Sequence, residues 1–593
     1  MSTDTIKINV PVLARVEGEG ALDLTIENKR ITDLELRIYE PPRYFEKFLE
    51  GRNYYDVPDI VARICGICPV AYQMSATHAI ESIFNVRITP WIRAMRRLFY
   101  CGEWLQSHSL HIHLLAAPDF LGFNNVIEMS SNYRDEVKRG LKLQALGNDL
   151  ISLFGARSVH PVGVKIGGFT KAPDKKNINA LLERVIDAKQ DAVDLIHWLD
   201  TLDLPVDNQD FTSVALHHDN EYPYNEGRLI SSDGLDISID EFEKYFKEHH
   251  ADQSTALHCL LEGKPYLVGP LARVNLNSEQ LPDQVKQIMR EIKTRFPSKN
   301  MFHSIIARAI EIYFVILEAE RLLSSYETTS QPRMDVIHKA GTGYGCTEAP
   351  RGLLWHRYDI DEKGCITKAI IVPPTSQNQP RIEQDLKESL INFGLDNTKE
   401  KLKLHAEKVI RNYDPCISCA THFLNLNLVR DNVLAHNDQK NLITDFVNID
   451  ITKTAIIGIG SPNQNDDNGW KIIDALNDRK IIHTLKKKGL RLYKLDRPGI
   501  KLNEIIKPFT SVIIIDAASS NNDEQKLVWI KAGDINTTPS SISSHDIRLP
   551  ETLKLMHTLK TLPDKTIILG VHGYSQTLEK KACNEIEKIL GVN

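Results

Sequence analysis

Long apolar runs are missing from these 593 residues. The most apolar helical stretch, FHSIIARAIEIYFVILEAE, contains Arg308, Glu311 and Glu318 and falls short of the ~18 uninterrupted apolar residues a membrane span needs. No direct membrane span is expected. The opening, MSTDTIKINVPVLARVEGEG, lacks a basic segment followed by an apolar core, so it does not read as a secretory signal. A cytoplasmic location is the expectation. Strong net charge is also absent: a balance of -6, with 25% charged residues, suggests no nucleic-acid partner. Internal repeats and low-complexity segments are lacking, and cysteine is sparse, at nine residues. Four of the nine nevertheless form two CxxC pairs, Cys65/Cys68 and Cys416/Cys419. In a chain read as non-secreted, such pairs indicate metal or redox chemistry before a disulfide framework.

What is present implies more than one hydrophobic core, because single cores rarely grow beyond about 250 to 300 residues. Residues 6–40 alternate in strand fashion and predict a β meander or hairpin. From about residue 58 to 330 apolar residues recur at three- and four-residue spacing, the pattern of a helical body. The Gly- and Pro-rich stretches GTGYGCTEAPRGLLWH and IIVPPTSQNQPRI predict loops, after which helical patterning resumes up to Pro415. Residues 423–450 have no strong period and read as a linker or C-terminal extension. Beyond them TAIIGIG, LRLYKLD, SVIIIDA and TIILGVHG alternate with helical stretches, predicting a small α/β domain with a largely parallel sheet over 451–593. The fold class expected is multidomain α+β.

RICGIC and DPCISC each place two thiolates about one turn apart. Four thiolates suit zinc, an iron-sulfur cluster, or nickel and iron. A zinc staple is disfavoured by spacing, since the pairs lie about 350 residues apart and zinc-ribbon pairs lie within a few tens.

Arg63, Cys65, Gly66 and Cys68, with Asp414, Pro415, Cys416, Cys419 and His422, together resemble the paired signature of nickel-iron hydrogenase large subunits. ARVEGEG, PPRYFE, HSLHIHLLAAPDF, SVHPVGVKIGG and EAPRGLLWH extend the resemblance across residues 10–422, and residues 1–422 are expected to form one domain of that kind. It implies a nickel-iron centre held by Cys65, Cys68, Cys416 and Cys419, with carbon monoxide and cyanide on the iron. It further implies that Cys416 takes the proton from hydrogen, Glu17 relays it outward, and Arg351 lies over the open coordination site. Thr375 or Ser376 would hydrogen-bond a diatomic ligand, Asp119 would stand behind the ligands, and Glu46 with His422 would bind magnesium. His108, His111 and His113 read as packing or hydrogen-bonding groups. Tyr72 departs from the family, which often has His there, and with PPRYFEKFLEGR it suggests the branch coupled to nicotinamide nucleotides. Partners implied are a small subunit carrying the iron-sulfur clusters, NAD(P)-reducing subunits and maturation factors. A non-catalytic hydrogen sensor using the same site stays open, whereas a zinc scaffold like the related respiratory complex I subunit would lack the cysteine pairs.

In the C-terminal domain GIGSPNQNDDNGW lacks GxGxxG spacing and is acidic where phosphate would bind, so nucleotide binding is not expected. Asp467, Asp516 and His545 instead occupy loop ends that a doubly wound sheet gathers along one edge. This resembles hydrogenase maturation endopeptidases, implying a nickel site on those three residues. Ser461 and Asn468 replace the family's usual Asn and Gly, and loss of that glycine is expected to disturb the turn. The resemblance places the scissile bond between His422 and Phe423.

Overall fold

The computed structural model describes the chain except residues 1–4, 41–42, 422–448, 461–466, 497, 499–501, 518–525, 532–548, 560, 564, 573 and 592–593. Two compact units emerge, one holding most of residues 1–426 and the other most of 427–593.

In the first unit β1 (Thr5–Val10), β2 (Gly20–Glu27) and β3 (Arg30–Ile38) form the expected antiparallel meander. Period-two alternation sends Ile8, Val10, Leu22, Leu24 and Ile26 to one buried face. That face shares a core with Ile382, Leu386 and Leu390 of helix 374–393 and with Leu402, Val409 and Ile410 of helix 399–412. Each such side chain contributes about 1.5 to 3 kcal/mol on burial. The consequence is functional: the N-terminal sheet is seated on the helices that deliver the second CxxC.

Five helices matter for the site before that point: α1 (Pro69–Phe84), α2 (Pro90–Leu110), α3 (Lys175–Asp200), α4 (Pro270–Asn277) and α5 (Ser304–Ser324). Helix α5 packs against α2 and α3 and is apolar nearly all round, as a buried helix should be. Two of the charges that interrupt its apolar run are paired inward, Glu311 with Arg273 and His108 and Glu318 with Arg97, while Arg308 donates to the carbonyls of Ser304 at 3.2 Å and Tyr413 at 3.3 Å.

The structure corrects the loop expectation for the Gly- and Pro-rich passage. Residues 341–372 form a three-stranded antiparallel sheet, β4 (Gly341–Ala349), β5 (Gly352–Ile360) and β6 (Ile366–Val372), and only Pro350 and Arg351 form the tight turn between β4 and β5. The glycines of β4 serve contact rather than bending. A Cβ on Gly343 would lie 2.2 Å from the Ala79 carbonyl oxygen, and one on Gly345 would lie 2.0 Å from that of Ser75, so the strand backbone rests directly on α1. Helix α6 (Pro374–Phe393) likewise begins inside the expected loop and tolerates Pro380 in its interior. Its first turns are held by tertiary bonds: Gln377 donates to the Leu353 carbonyl at 2.7 Å, and Asn378 accepts the Val268 amide at 2.9 Å. Helix α7 (Lys399–Asn412) then leads into the second CxxC.

The second unit carries a five-stranded sheet. β7 (Thr454–Gly460) lies between β8 (Arg491–Asp496) and β9 (Ser511–Ala517); β11 (Lys565–His572) follows, and all four run parallel. The edge strand β10 (Lys526–Lys531) is antiparallel to β11 and was not expected from the sequence. Apolar clusters fill both faces of the sheet.

Candidate metal centre

Cys65 sits in the loop ahead of α1, and Cys68 is the residue that caps α1, with Pro69 at its first position. The tight turn aims the amides of Ile67 and Cys68 at the Cys65 sulfur, each 3.3 Å away. Cys416 caps the short helix Ile417–Ala420 and Cys419 lies within it, and the Cys416 amide donates to Thr375 Oγ1 at 2.9 Å. Across the two segments Cys65 Sγ lies 3.5 Å from Cys416 Sγ, and Cys68 Sγ lies 3.9 Å from Cys419 Sγ. All four sulfurs fall within 4.8 Å of one another and are buried. Burial and the adjacent Cys65 push the Cys68 thiol well above its ordinary value. Such a cluster is stable as thiolates only with cationic compensation, so the donor set fits a soft or borderline metal.

Part of that compensation is built in. Arg351, at the β4–β5 turn, donates from Nε to the Asp414 carbonyl at 2.7 Å and from Nη2 to Asp414 Oδ1 at 3.0 Å. Burial would lower its pKa, but Asp414 and the Cys68 and Cys65 sulfurs hold it above the ordinary value. Its Nη1 and Asp414 Oδ2 are buried without hydrogen-bond partners, leaving donor and acceptor capacity beside the sulfurs. The turn is clamped from behind by Arg273 of α4, which donates to the carbonyls of Ala349 at 3.0 Å and Pro350 at 2.9 Å while pairing with Glu311 and Glu348.

Glu17 reaches the centre through backbone pairing. It forms a parallel bridge with Cys416, its carbonyl accepts the Ile417 amide at 3.0 Å, and its Oε2 accepts the Ser418 amide at 3.0 Å. Ser418 Oγ donates in turn to Glu40 at 2.8 Å. Burial raises the Glu40 pKa, and the Glu17 charge raises it further. Asp119 bridges Arg15 Nη2 at 2.5 Å and Arg411 Nε at 2.7 Å, tying the segment before Glu17 to the helix before Asp414. Arg43 donates to the Ile64 carbonyl at 2.5 Å and also to that of Ser418, joining the two CxxC loops.

Ser376 faces elsewhere, donating to Glu248 at 3.0 Å and to the Pro373 carbonyl at 3.1 Å. Glu46 accepts the Ile371 amide at 2.7 Å, and burial pushes its carboxyl up to about 7. Burial and the Glu46 charge push Glu248 up to about 8. His422 and Phe423 lie outside the described residues. Tyr72 is fully buried, its phenol pushed well above the ordinary range by burial and by Cys68 and Cys65. His108 pairs with Glu311 at 2.8 Å, and His111 and His113 meet the carbonyls of Arg411 at 2.9 Å and Ser109 at 3.0 Å.

In the second unit Asp467 caps α8 (Asn468–Asn477) and pairs with Lys471 at 2.8 Å, while Asp516 is the penultimate residue of β9 and accepts the Ala517 amide at 2.9 Å. Both acids stand at the carboxyl edge of adjacent parallel strands. His545 lies outside the described residues. A Cβ on Gly469 would lie 2.3 Å from the Ile459 carbonyl oxygen and 2.6 Å from that of Ile515, so Gly469 permits the close helix–sheet approach and Asn468 is accommodated as a buried first helical residue.

Glu40, Arg43, Glu248 and Arg273 went unnoticed in the sequence as functional residues. Arg43 at least stands in the PPRYFE motif; the other three sit in no motif and become visible only through the partners they meet.

Four convergent buried cysteines beside a buried arginine, presented by a mostly helical body, define a candidate metal-binding subunit. Residues 43–139 and 259–422 match the nickel-dependent hydrogenase family, and residues 498–588 match the hydrogenase maturation protease family. The alpha subunit of sulfhydrogenase 2 from Pyrococcus furiosus is 30% identical over 422 residues, covering 71% of this chain and 100% of its own length. The beta subunit of the NAD-reducing hydrogenase HoxS from Cupriavidus necator is 28% identical, covering 70% of this chain and 95% of its own. A crystal structure of an NAD+-reducing [NiFe]-hydrogenase in the H2-reduced state aligns with a TM-score of 0.66 at 27% identity, covering 70% of this chain and 99% of that one. The chain belongs to the nickel-dependent hydrogenase family as a large-subunit homologue, and it carries a hydrogenase maturation protease domain at its C-terminal end. Among the described residues no helix is long and apolar enough to cross a membrane.

Proposed function

We propose that the chain is the catalytic subunit of a cytoplasmic nickel-iron hydrogenase that cleaves hydrogen reversibly into protons and electrons and exchanges the electrons with NAD(P) through partner subunits. The observation carrying this reading is the convergence of four buried cysteine sulfurs within 4.8 Å from segments about 350 residues apart. Cys65, Cys68, Cys416 and Cys419 would hold nickel and iron, the iron bearing carbon monoxide and cyanide. When bound, that centre supplies an electrophilic site that accepts the hydride half of a split hydrogen molecule.

The chain's own residues do the rest. The Cys416 sulfur accepts the proton half, and Glu17, seated against the Cys416 segment, relays it outward. Arg351 holds positive charge over the sulfurs from a fixed turn, and Thr375 fixes the Cys416 backbone. Asp119 holds the Glu17 and Cys416 segments together. Glu46 and His422 would bind magnesium; the half-buried carboxylate of Glu46 is a hard oxygen donor of the kind such a cation takes. The iron-sulfur clusters that remove electrons belong to a small subunit. NAD(P) coupling draws support from the likeness to the HoxS beta subunit.

The C-terminal domain would use Asp467, Asp516 and His545 to bind nickel and cut between His422 and Phe423, with other maturation factors supplying the metals. Tethering gives an effective concentration of about the millimolar range. Self-processing predicts that nickel addition to full-length protein releases the 423–593 fragment. Full-length protein that persists with its metals loaded refutes it. For the main reading, protein purified with its partners should show about one nickel per chain with carbon monoxide and cyanide infrared bands, and hydrogen-dependent NAD(P) reduction. Zinc without those bands would overturn it.

A further inference from the structure

The N-terminal amides of α1 have an unusual partner. The side chain of a helix-capping residue ordinarily accepts the amides at the second and third helical positions. Here the capping residue is Cys68 and those positions are Val70 and Ala71, yet Cys68 makes no side-chain cap bond. Glu103, fully buried on α2, takes both amides instead: its Oε2 lies 2.6 Å from Val70 N and its Oε1 lies 3.1 Å from Ala71 N. One turn along α2, Gln106 Nε2 donates to the Ile67 carbonyl at 2.6 Å. Helix α2 therefore grips the CxxC loop on both sides of Cys68.

A sulfur that accepts two amide hydrogen bonds donates less electron density to a metal. We propose that Glu103 is a positioning residue that draws the α1 amides away from Cys68, keeping its sulfur free of backbone hydrogen bonds and electron-rich, while Gln106 fixes the loop. The inference rests on the nickel-iron reading. Without Glu103, two buried amides would lack an acceptor, and the Cys68 sulfur is the capping atom placed to receive them.

The test is infrared spectroscopy with nickel analysis on the wild type, Glu103→Gln, Glu103→Ala and Gln106→Ala, each co-expressed with its partners. Amide bonds to the Cys68 sulfur would lower the electron density it supplies to the metal centre and reduce back-donation into carbon monoxide. The carbon monoxide and cyanide bands should move to higher wavenumber in Glu103→Ala. Glu103→Gln, which keeps one acceptor, should shift less and retain nickel. Gln106→Ala should lower nickel content with a smaller shift. A purely structural role would lower stability and leave the bands of the loaded fraction in place. Unmoved bands in Glu103→Ala would overturn the proposal; if that variant does not accumulate, unmoved bands in Glu103→Gln would do so. Absence of the bands in the wild type would overturn the nickel-iron reading itself, whereas wild-type bands that no substitution moves would defeat only this inference.

Discussion

Replacing Asp119 with Asn tests how the two distant halves of the centre are held together. Asp119 is 5% exposed and bridges Arg15 and Arg411, themselves 7% and 2% exposed. Burial lowers the Arg15 pKa and the neighbouring Arg411 charge lowers it further, so the carboxylate is what makes the pair tolerable. Asn keeps the size and one acceptor but removes the charge, leaving buried Arg15 without its ion-pair partner and Arg411 with Glu407 alone at 3.2 Å. Breaking a buried ion pair in this way costs about 3 to 5 kcal/mol. With a urea slope of about 4 kcal/mol/M, scaled up from small proteins for a unit of this size, the unfolding midpoint should fall by about 1 M. Arg15 lies two residues before Glu17, and Arg411 three before Asp414, so nickel content should fall as well. The triple variant Arg15→Met, Asp119→Leu, Arg411→Met should recover most of the stability, because it removes the three buried charges together and leaves Glu407, 17% exposed, with Lys403 at 3.9 Å. A midpoint change below about 0.2 M in Asp119→Asn would refute the reasoning.

Three further outcomes are expected. Arg351→Lys keeps the charge but loses the fork on Asp414, and hydrogen–deuterium exchange activity should drop by about two to three orders of magnitude with nickel content unchanged; near-normal activity would remove Arg351 from the mechanism. Burial pushes Asp385 up to about 7 from 3.8, so its folded state favours the protonated form: this contribution to stability is complete below about pH 4 and is lost as pH rises through 7, on the order of 4 kcal/mol in all. Asp385→Asn should flatten that part of the pH–stability curve measured by urea unfolding, and an unchanged slope would count against it. Gly469→Ala would drive a Cβ into the Ile459 and Ile515 carbonyls, costing about 1 to 3 kcal/mol and making the C-terminal domain of the full chain more sensitive to limited proteolysis, with the first unit unaffected.

The N-terminal meander, the helical body and the largely parallel C-terminal sheet were legible in the sequence because each declares itself through apolar period alone. The cysteine pairs were legible because their spacing is local and their chemistry is specific. The Gly- and Pro-rich passage misled for an opposite reason: glycine has two uses, bending a chain and letting backbones touch. At Gly343 and Gly345 only the position of α1 decides that the second applies. Pro380 inside a helix is similar, because side-chain bonds from Gln377 and Asn378 to distant segments hold the surrounding turns.

By itself, then, the sequence determined which atoms could bind metal, where each half of the chemistry lies along the chain, and the class of each domain. The tertiary structure decided which groups hold those atoms in place. Glu103, Arg273, Glu40 and Glu248 belong to no motif, and their roles come from meeting an amide, a carbonyl or another carboxyl far away in sequence. Local patterns report burial and helix or strand period, whereas a buried polar group must be satisfied by whatever partner the fold delivers, and that partner has no fixed offset along the chain.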